Sequence, residues 1–248
     1  MTSRDGMMYV EGEGKPWHGL GVALDSPATA QEAIIAAGLD WEVVAEPVFI
    51  ARGWVEGFMD AAPSGFNTIS GKNAIMRKDT RDVFAIMGDG YEPMQNIDAF
   101  NFFDSVISQG EAMYHTAGSL FGGKRVWILA KLPGDIIVTD TDKIGKYILL
   151  STSHDGSAAL RMKFTPIRVV CNNTLSIALS GRSGFYAKHT RNILSRAAEA
   201  REILGVAEQY YDIFAKQVDR LVNTRMTVIE TQDYLQKLYN FKDDKSYA

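Results

Sequence analysis

The chain holds a single cysteine in 248 residues, Cys171, which excludes an internal disulfide. One thiol and four scattered histidines also match no zinc-ligand spacing. Long apolar runs are missing: nothing approaches the roughly 18 residues that a membrane span needs. The opening stretch "MTSRDGMMYVEGEGKPWHGLG" lacks the apolar core of a secretory signal, so a cytoplasmic protein without a membrane partner is expected. No phosphate-cradling loop occurs, because "GDGYEP" and "GSLFGG" have neither the glycine pattern nor the lysine. Asp79, Asp82, Asp89 and Glu92 show no EF-hand or two-metal spacing and read as solvated turn carboxylates. Cys171 has His154 or His189 and Asn172 or Asn173 as candidate partners, but no spacing supports a cysteine nucleophile, and a small buried apolar group is the better reading. No catalytic residue, metal or cofactor is assigned, and the chain is expected not to be an enzyme.

The composition is that of a folded globular protein, 46% hydrophobic and 23% charged. Its length fits one large domain, or one domain with an appended helical piece. The expected division is an α+β domain over 1–190 and a helical segment over 191–248 that packs on it or mediates self-association. The net charge of −4 is unevenly spread. Residues 1–120 carry 7 Lys and Arg against 17 Asp and Glu, residues 121–201 carry 13 against 5, and the remainder 6 against 8. A basic block therefore sits inside an acidic protein. It either pairs with the acidic first half across the fold or faces a polyanion.

Local signals divide the chain into elements. "TAQEAIIAAG" is a short helix with Thr29 and Glu32 as a capping box and Gly38 as its stop. "KPWHGLG" is an irregular segment that Trp17 and Leu20 would pin to the core, with His18 as a hydrogen-bonded packing residue. Pro47 makes "WEVVAEPVFIA" an edge strand or two short ones. "AIMRKDTRDVFAIMG" reads as two strands around a turn at Lys78 to Arg81, and "IDAFNFFDSVISQG" as an amphipathic helix. Gly122–Gly123 and Asp155–Gly156 mark two hairpins, which makes the middle of the chain an antiparallel meander packed against helices. Asn172 and Asn173 look like the N-cap of a helix from about Asn173 to Ser180. Ile193 to Leu221 carry an apolar seam at spacings of three and four, and Thr227 with Glu230 caps a last helix.

The candidate site comes from strand alternation. In "ALRMKFTPIRVV", Leu160, Met162 and Phe164 face one way, Arg161, Lys163 and Thr165 the other, and a bulge at Pro166 would bring Arg168 onto the cationic face. Lys124 and Arg125 follow the Gly-Gly turn, so five cations would line one rim of the sheet. Tyr186, Lys188 and Arg191 add an aromatic residue interleaved with cations, the pattern that suits single-stranded nucleic acid. The expected site is Lys124, Arg125, Arg161, Lys163, Arg168, Lys188 and Arg191, gripping phosphates without sequence preference.

"PWHGLG", "GGKRVWILAKLP", "SHDGSAALRMKFTPIRVVCNNTL" and "KHTRNILSRAAEAREILG", in that order, resemble an uncharacterised family of phage/plasmid-like proteins. That resemblance implies a bacterial mobile element and no established activity. The order of hairpin, strand and helix is also similar to the core of the single-strand annealing recombinases of the Erf and Sak types, which implies rings or filaments laying single-stranded DNA in a basic groove. The expectation is thus a phage or plasmid accessory protein, oligomeric, binding or annealing single-stranded DNA in recombination or replication. The alternative is a protein-interaction or host-takeover factor that uses the acidic first half.

Overall fold

A computed structural model describes residues 5–11, 14–26, 28–51, 65–107, 112–181, 184–188, 202 and 207–239. Its architecture follows from which strands are apolar on one face and which on both. Strands β6 (Met113–Leu120), β7 (Arg125–Lys131) and β10 (Tyr147–Ser153) are buried along almost their whole length, so they lie in the middle of a sheet covered on both sides. Around them the seven-stranded order is β12-β11-β10-β7-β6-β1-β2, adding β1 (Met7–Val10), β2 (Val22–Leu24), β11 (Leu160–Thr165) and β12 (Phe185–Ala187). Every pairing is antiparallel except β1 with β2. A two-stranded excursion, β8 (Ile136–Ile137) with β9 (Lys143–Ile144), interrupts the β7–β10 connection.

One face of the sheet, with Met8, Val126, Ile128, Ile148, Leu150 and Met162, packs against α1 (Ala30–Ala36) and α2 (Asn96–Ile107). A smaller antiparallel sheet, β3 (Val43–Ala51), β4 (Phe66–Arg77) and β5 (Val83–Gly88), joins the same core through Val43, Ile75 and Phe84. Between them lies a buried polar pair: His154 Nε2 donates to Asn96 Oδ1 at 2.9 Å while Asn96 donates to the Leu39 carbonyl. The opposite face, with Trp127, Leu129, Tyr147 and Leu149, is covered by Val169, Val170 and the short helix α3 (Asn172–Ala178). Two further helices, α4 (Ala207–Asn223) and α5 (Val228–Tyr239), follow. The fold is α+β, with an antiparallel-dominated sheet and a C-terminal helical segment, as the sequence patterns lead one to expect. No described helix is long and apolar enough to cross a membrane.

Several local expectations hold to the residue. Thr29 and Glu32 form the capping box of α1, Gly38 follows it at φ 62°, and Thr227 with Glu230 caps α5. Pro47 lies on the edge strand β3, beside a register shift. Others differ. The β6–β7 connection is a four-residue turn, Phe121 to Lys124, with positive φ at Phe121, Gly122 and Gly123, because Leu120 pairs directly with Arg125. The N-cap of α3 is Cys171, not an asparagine: the Thr174 hydroxyl receives the N–H groups of Val170 and Cys171, both at 3.0 Å, and so takes over the capping. The segment Lys15 to Gly21 is irregular, as expected, and lies between two short strands not evident in the sequence, β1 and β2. Trp17 and Leu20 do not pin it, since Trp17 is 81% exposed. The segment is held instead by His18, whose Nε2–H donates to the Val170 carbonyl (2.9 Å) while Nδ1 accepts from Leu20 N–H (3.0 Å). Of the apolar seam, residues 193–201 and 203–206 lie outside the described residues.

Candidate nucleic-acid interface

Register decides where the cations go. Arg125 opposes Ser153, and Ser151 opposes both Trp127 and Arg161, which in turn opposes Tyr186. Cross-strand partners share a face, so Arg125, Arg161 and Tyr186 all project on the side that carries α3. They also share one end of the sheet. Arg125 begins β7, Ser153 ends β10, Leu160 begins β11 opposite Ala187, and Lys188 follows β12. Lys124 lies in the turn at the same end. Arg125 and Arg161 are two strands apart, about 10 Å across the sheet.

Each side chain is held by its own contacts. Arg161 stacks its guanidinium over the Tyr186 ring at 4.6 Å and donates to the Tyr186 hydroxyl and to the Gly181 carbonyl. Lys163 donates to the Ser180 carbonyl. Both cations thus meet the carbonyl end of α3, where positive charge is favoured. The cost is visible for Lys163, which is buried: desolvation, then the neighbouring Arg161 charge, lowers its pKa. Arg125 lies over the β10–β11 loop, with a terminal nitrogen 3.4 Å from the Ser157 hydroxyl. Lys124 acts on Asp155. Burial alone would raise that carboxyl, but hydrogen bonds from Ser157 and Ser153 together with the Lys124 charge hold it below its ordinary value.

The seven expected residues are therefore unequally placed. Arg125 and Arg161 lie on the α3-bearing face, Lys124 and Lys188 lie at the same end of the sheet, and Lys163 lies behind Arg161 as a buried prop for the segment after α3. Arg168 is at the opposite end, beyond Thr165, where it donates to the Gly14 carbonyl at 2.8 Å. Burial lowers its pKa against the opposing effect of the Tyr147 and Tyr9 hydroxyls. Arg191 lies outside the described residues. Among the described residues of the acidic first half, Glu42 pairs with Lys78, Glu46 with Arg81 and Asp79 with Arg77, all in or beside the small sheet. Among the described residues no carboxylate oxygen lies within 4 Å of the Lys124, Arg125, Arg161 or Lys188 side-chain nitrogens.

One signal in the sequence strengthens this convergence. Between Asp155 and Glu199 there is no acidic residue, and the 43 intervening positions carry seven Lys and Arg. That acid-free run supplies β11, α3 and β12, the elements around the convergent cations. The model of one protein family matches residues 83–248, well over half of the chain. The chain belongs to the DUF932 family, a domain of unknown function. No curated protein and no solved structure matches it. The DUF932 match opens at Val83, the first residue of β5, and takes in both hairpins and all seven expected site residues. The strands β1 to β4 and α1 precede it. Among the described residues no group of three or more His, Cys, Asp or Glu is placed to hold a metal ion.

Proposed function

We propose that this DUF932 protein binds single-stranded nucleic acid across the α3-bearing end of its large sheet, as a non-enzymatic accessory protein of a phage or plasmid. The observation that carries the reading is the gathering of Lys124, Arg125, Arg161 and Lys188 at one end of the large sheet, with the Arg161 guanidinium over the Tyr186 ring. Phosphates would be met by the guanidinium and ammonium groups, and a base by the Tyr186 ring, a combination that accepts any sequence. Binding of this kind requires no catalytic group. Lys163 contributes field and position rather than contact, because its ammonium is spent on the Ser180 carbonyl. The resemblance to phage/plasmid-like proteins and to the element order of annealing recombinases supports the same direction.

Self-association would lengthen the site. The helices α4 and α5 expose Leu221, Val222, Val228, Ile229, Leu238 and Tyr239, and no residue of α5 is buried. A twelve-residue helix without a packed face is marginal in water, so a second copy of the chain is its proposed cover. Fluorescence anisotropy of labelled oligodeoxythymidine tests the binding: wild type should bind at low salt, and Arg125→Ala/Arg161→Ala should bind about tenfold more weakly or worse. Equal affinities would remove the interface.

A further inference from the structure

Trp17 is the most exposed of the large apolar side chains described, yet it is not a loose one. Its neighbours are fastened twice to the segment that leads into α3, by His18 to the Val170 carbonyl and by Arg168 to the Gly14 carbonyl. The His18 ring meets the indole edge-on at 5.4 Å. The Val170 carbonyl that His18 holds precedes Cys171, the N-cap of α3. Burial raises the Cys171 thiol, and the hydrogen bonds from Thr174, Asn173 and Trp17 outweigh it to leave the pKa lowered. An indole packed edge-on by His18 in a segment tied down on both sides, with its faces left in water, is a prearranged surface for another flat ring, because less side-chain freedom remains to be lost on contact.

Its position fits the cationic end. Helix α3 starts just after Cys171, next to the Val170 carbonyl that His18 holds, and ends at Ala178, shortly before the Ser180 and Gly181 carbonyls that Lys163 and Arg161 hold. Its seven residues span about 10 Å, a length that a few nucleotides cover. The outward residues of α3 are Asn173, Ser176 and Ile177, none of them charged, so nothing on the helix repels a phosphate. We propose that Trp17 is a base-stacking platform, and that a single strand runs along α3 from the Arg161–Tyr186 pair to this indole. The inference rests on the nucleic-acid reading above and adds to it the path of the strand and a contact outside the family-matched region.

The test is titration of the full chain with oligodeoxythymidine about 15 nucleotides long, a length within the range such sites occupy. The indole emission and, with a labelled oligonucleotide, the affinity are both followed. Of the other three tryptophans Trp41 and Trp127 are buried and Trp54 lies outside the described residues, so the quench that belongs to Trp17 is the component that disappears in Trp17→Phe. Trp17→Leu should weaken binding about tenfold, Trp17→Phe by less, and neither should change the salt dependence, since no phosphate contact is lost. Circular dichroism melts should match wild type, because the side chain is exposed. If Trp17→Leu binds as tightly as wild type while Arg125→Ala/Arg161→Ala does not, the platform is refuted and the cationic interface stands. If wild type fails to bind at low salt, both fall.

Discussion

Replacing Tyr211 by phenylalanine removes one oxygen and tests how α4 is attached. The hydroxyl is buried where β10 and β11 part, and it accepts the N–H groups of Tyr147 (2.9 Å) and Thr165 (3.2 Å) while donating to the Tyr147 carbonyl (2.5 Å). It closes the open end of that strand pair, and burial accordingly raises its pKa. The Tyr211→Phe substitution would leave two N–H groups and a carbonyl without their partner. At about 1–3 kcal/mol for each unsatisfied buried group, reduced by local relaxation, the loss should be about 2–4 kcal/mol. Packing is unchanged, since the ring keeps its contacts with Phe164 and Tyr210. Urea unfolding followed by far-UV circular dichroism should show the midpoint falling by roughly 1 M with the slope conserved. A midpoint within about 0.2 M of wild type, roughly a fifth of that shift, would show that the hydroxyl does not hold α4 to the sheet. Because Tyr211 sits at the end opposite Arg125 and Arg161, nucleic-acid affinity should survive the substitution in the folded fraction.

Two further outcomes follow from the core. A Cβ on Gly118 would lie 2.4 Å from the buried Trp127 ring and 2.6 Å from the Gly6 carbonyl, so Gly118→Ala should destabilise by about 1–3 kcal/mol in the same urea assay. His115 is buried, and burial followed by the Arg168 charge lowers its pKa to about 4. The unfolded chain takes up that proton as pH falls below about 6.5 and the folded chain does not, so this contribution is complete above about pH 6.5 and is lost as pH falls toward about 4. Its size is at most about 3 kcal/mol, and His115→Gln should flatten the dependence of stability on pH in this window.

What is legible in the sequence is what depends on neighbours along the chain. The α1 cap needs only Thr29 and Glu32, three residues apart, and the two hairpins need only a turn between apolar runs. Alternation in β11 correctly separates Arg161 and Lys163 from Leu160 and Met162. Strand order is a long-range property, and it alone carries Arg125 onto the face of Arg161 and Arg168 to the far end. Lys163 illustrates the same limit: its alternation is right, yet its burial is set by the end of α3, seventeen residues away, folding back over it. β1 and β2 stay hidden because strands of four and three residues among glycines leave too short a pattern to recognise. Trp17 reads as a core residue because tryptophan is bulky and apolar. Nothing local reveals that His18 and Arg168 have taken over the anchoring.

A cationic interface at this end of the sheet is best checked by the salt dependence of single-stranded DNA binding. Four phosphate contacts, from Lys124, Arg125, Arg161 and Lys188, should give a slope of log affinity against log salt of about −2.8, at about −0.7 per contact on a single strand. Arg125→Ala/Arg161→Ala should bring it to about −1.4. A wild-type slope near zero, or one that the double substitution leaves unchanged, would contradict a cationic interface at this end of the sheet.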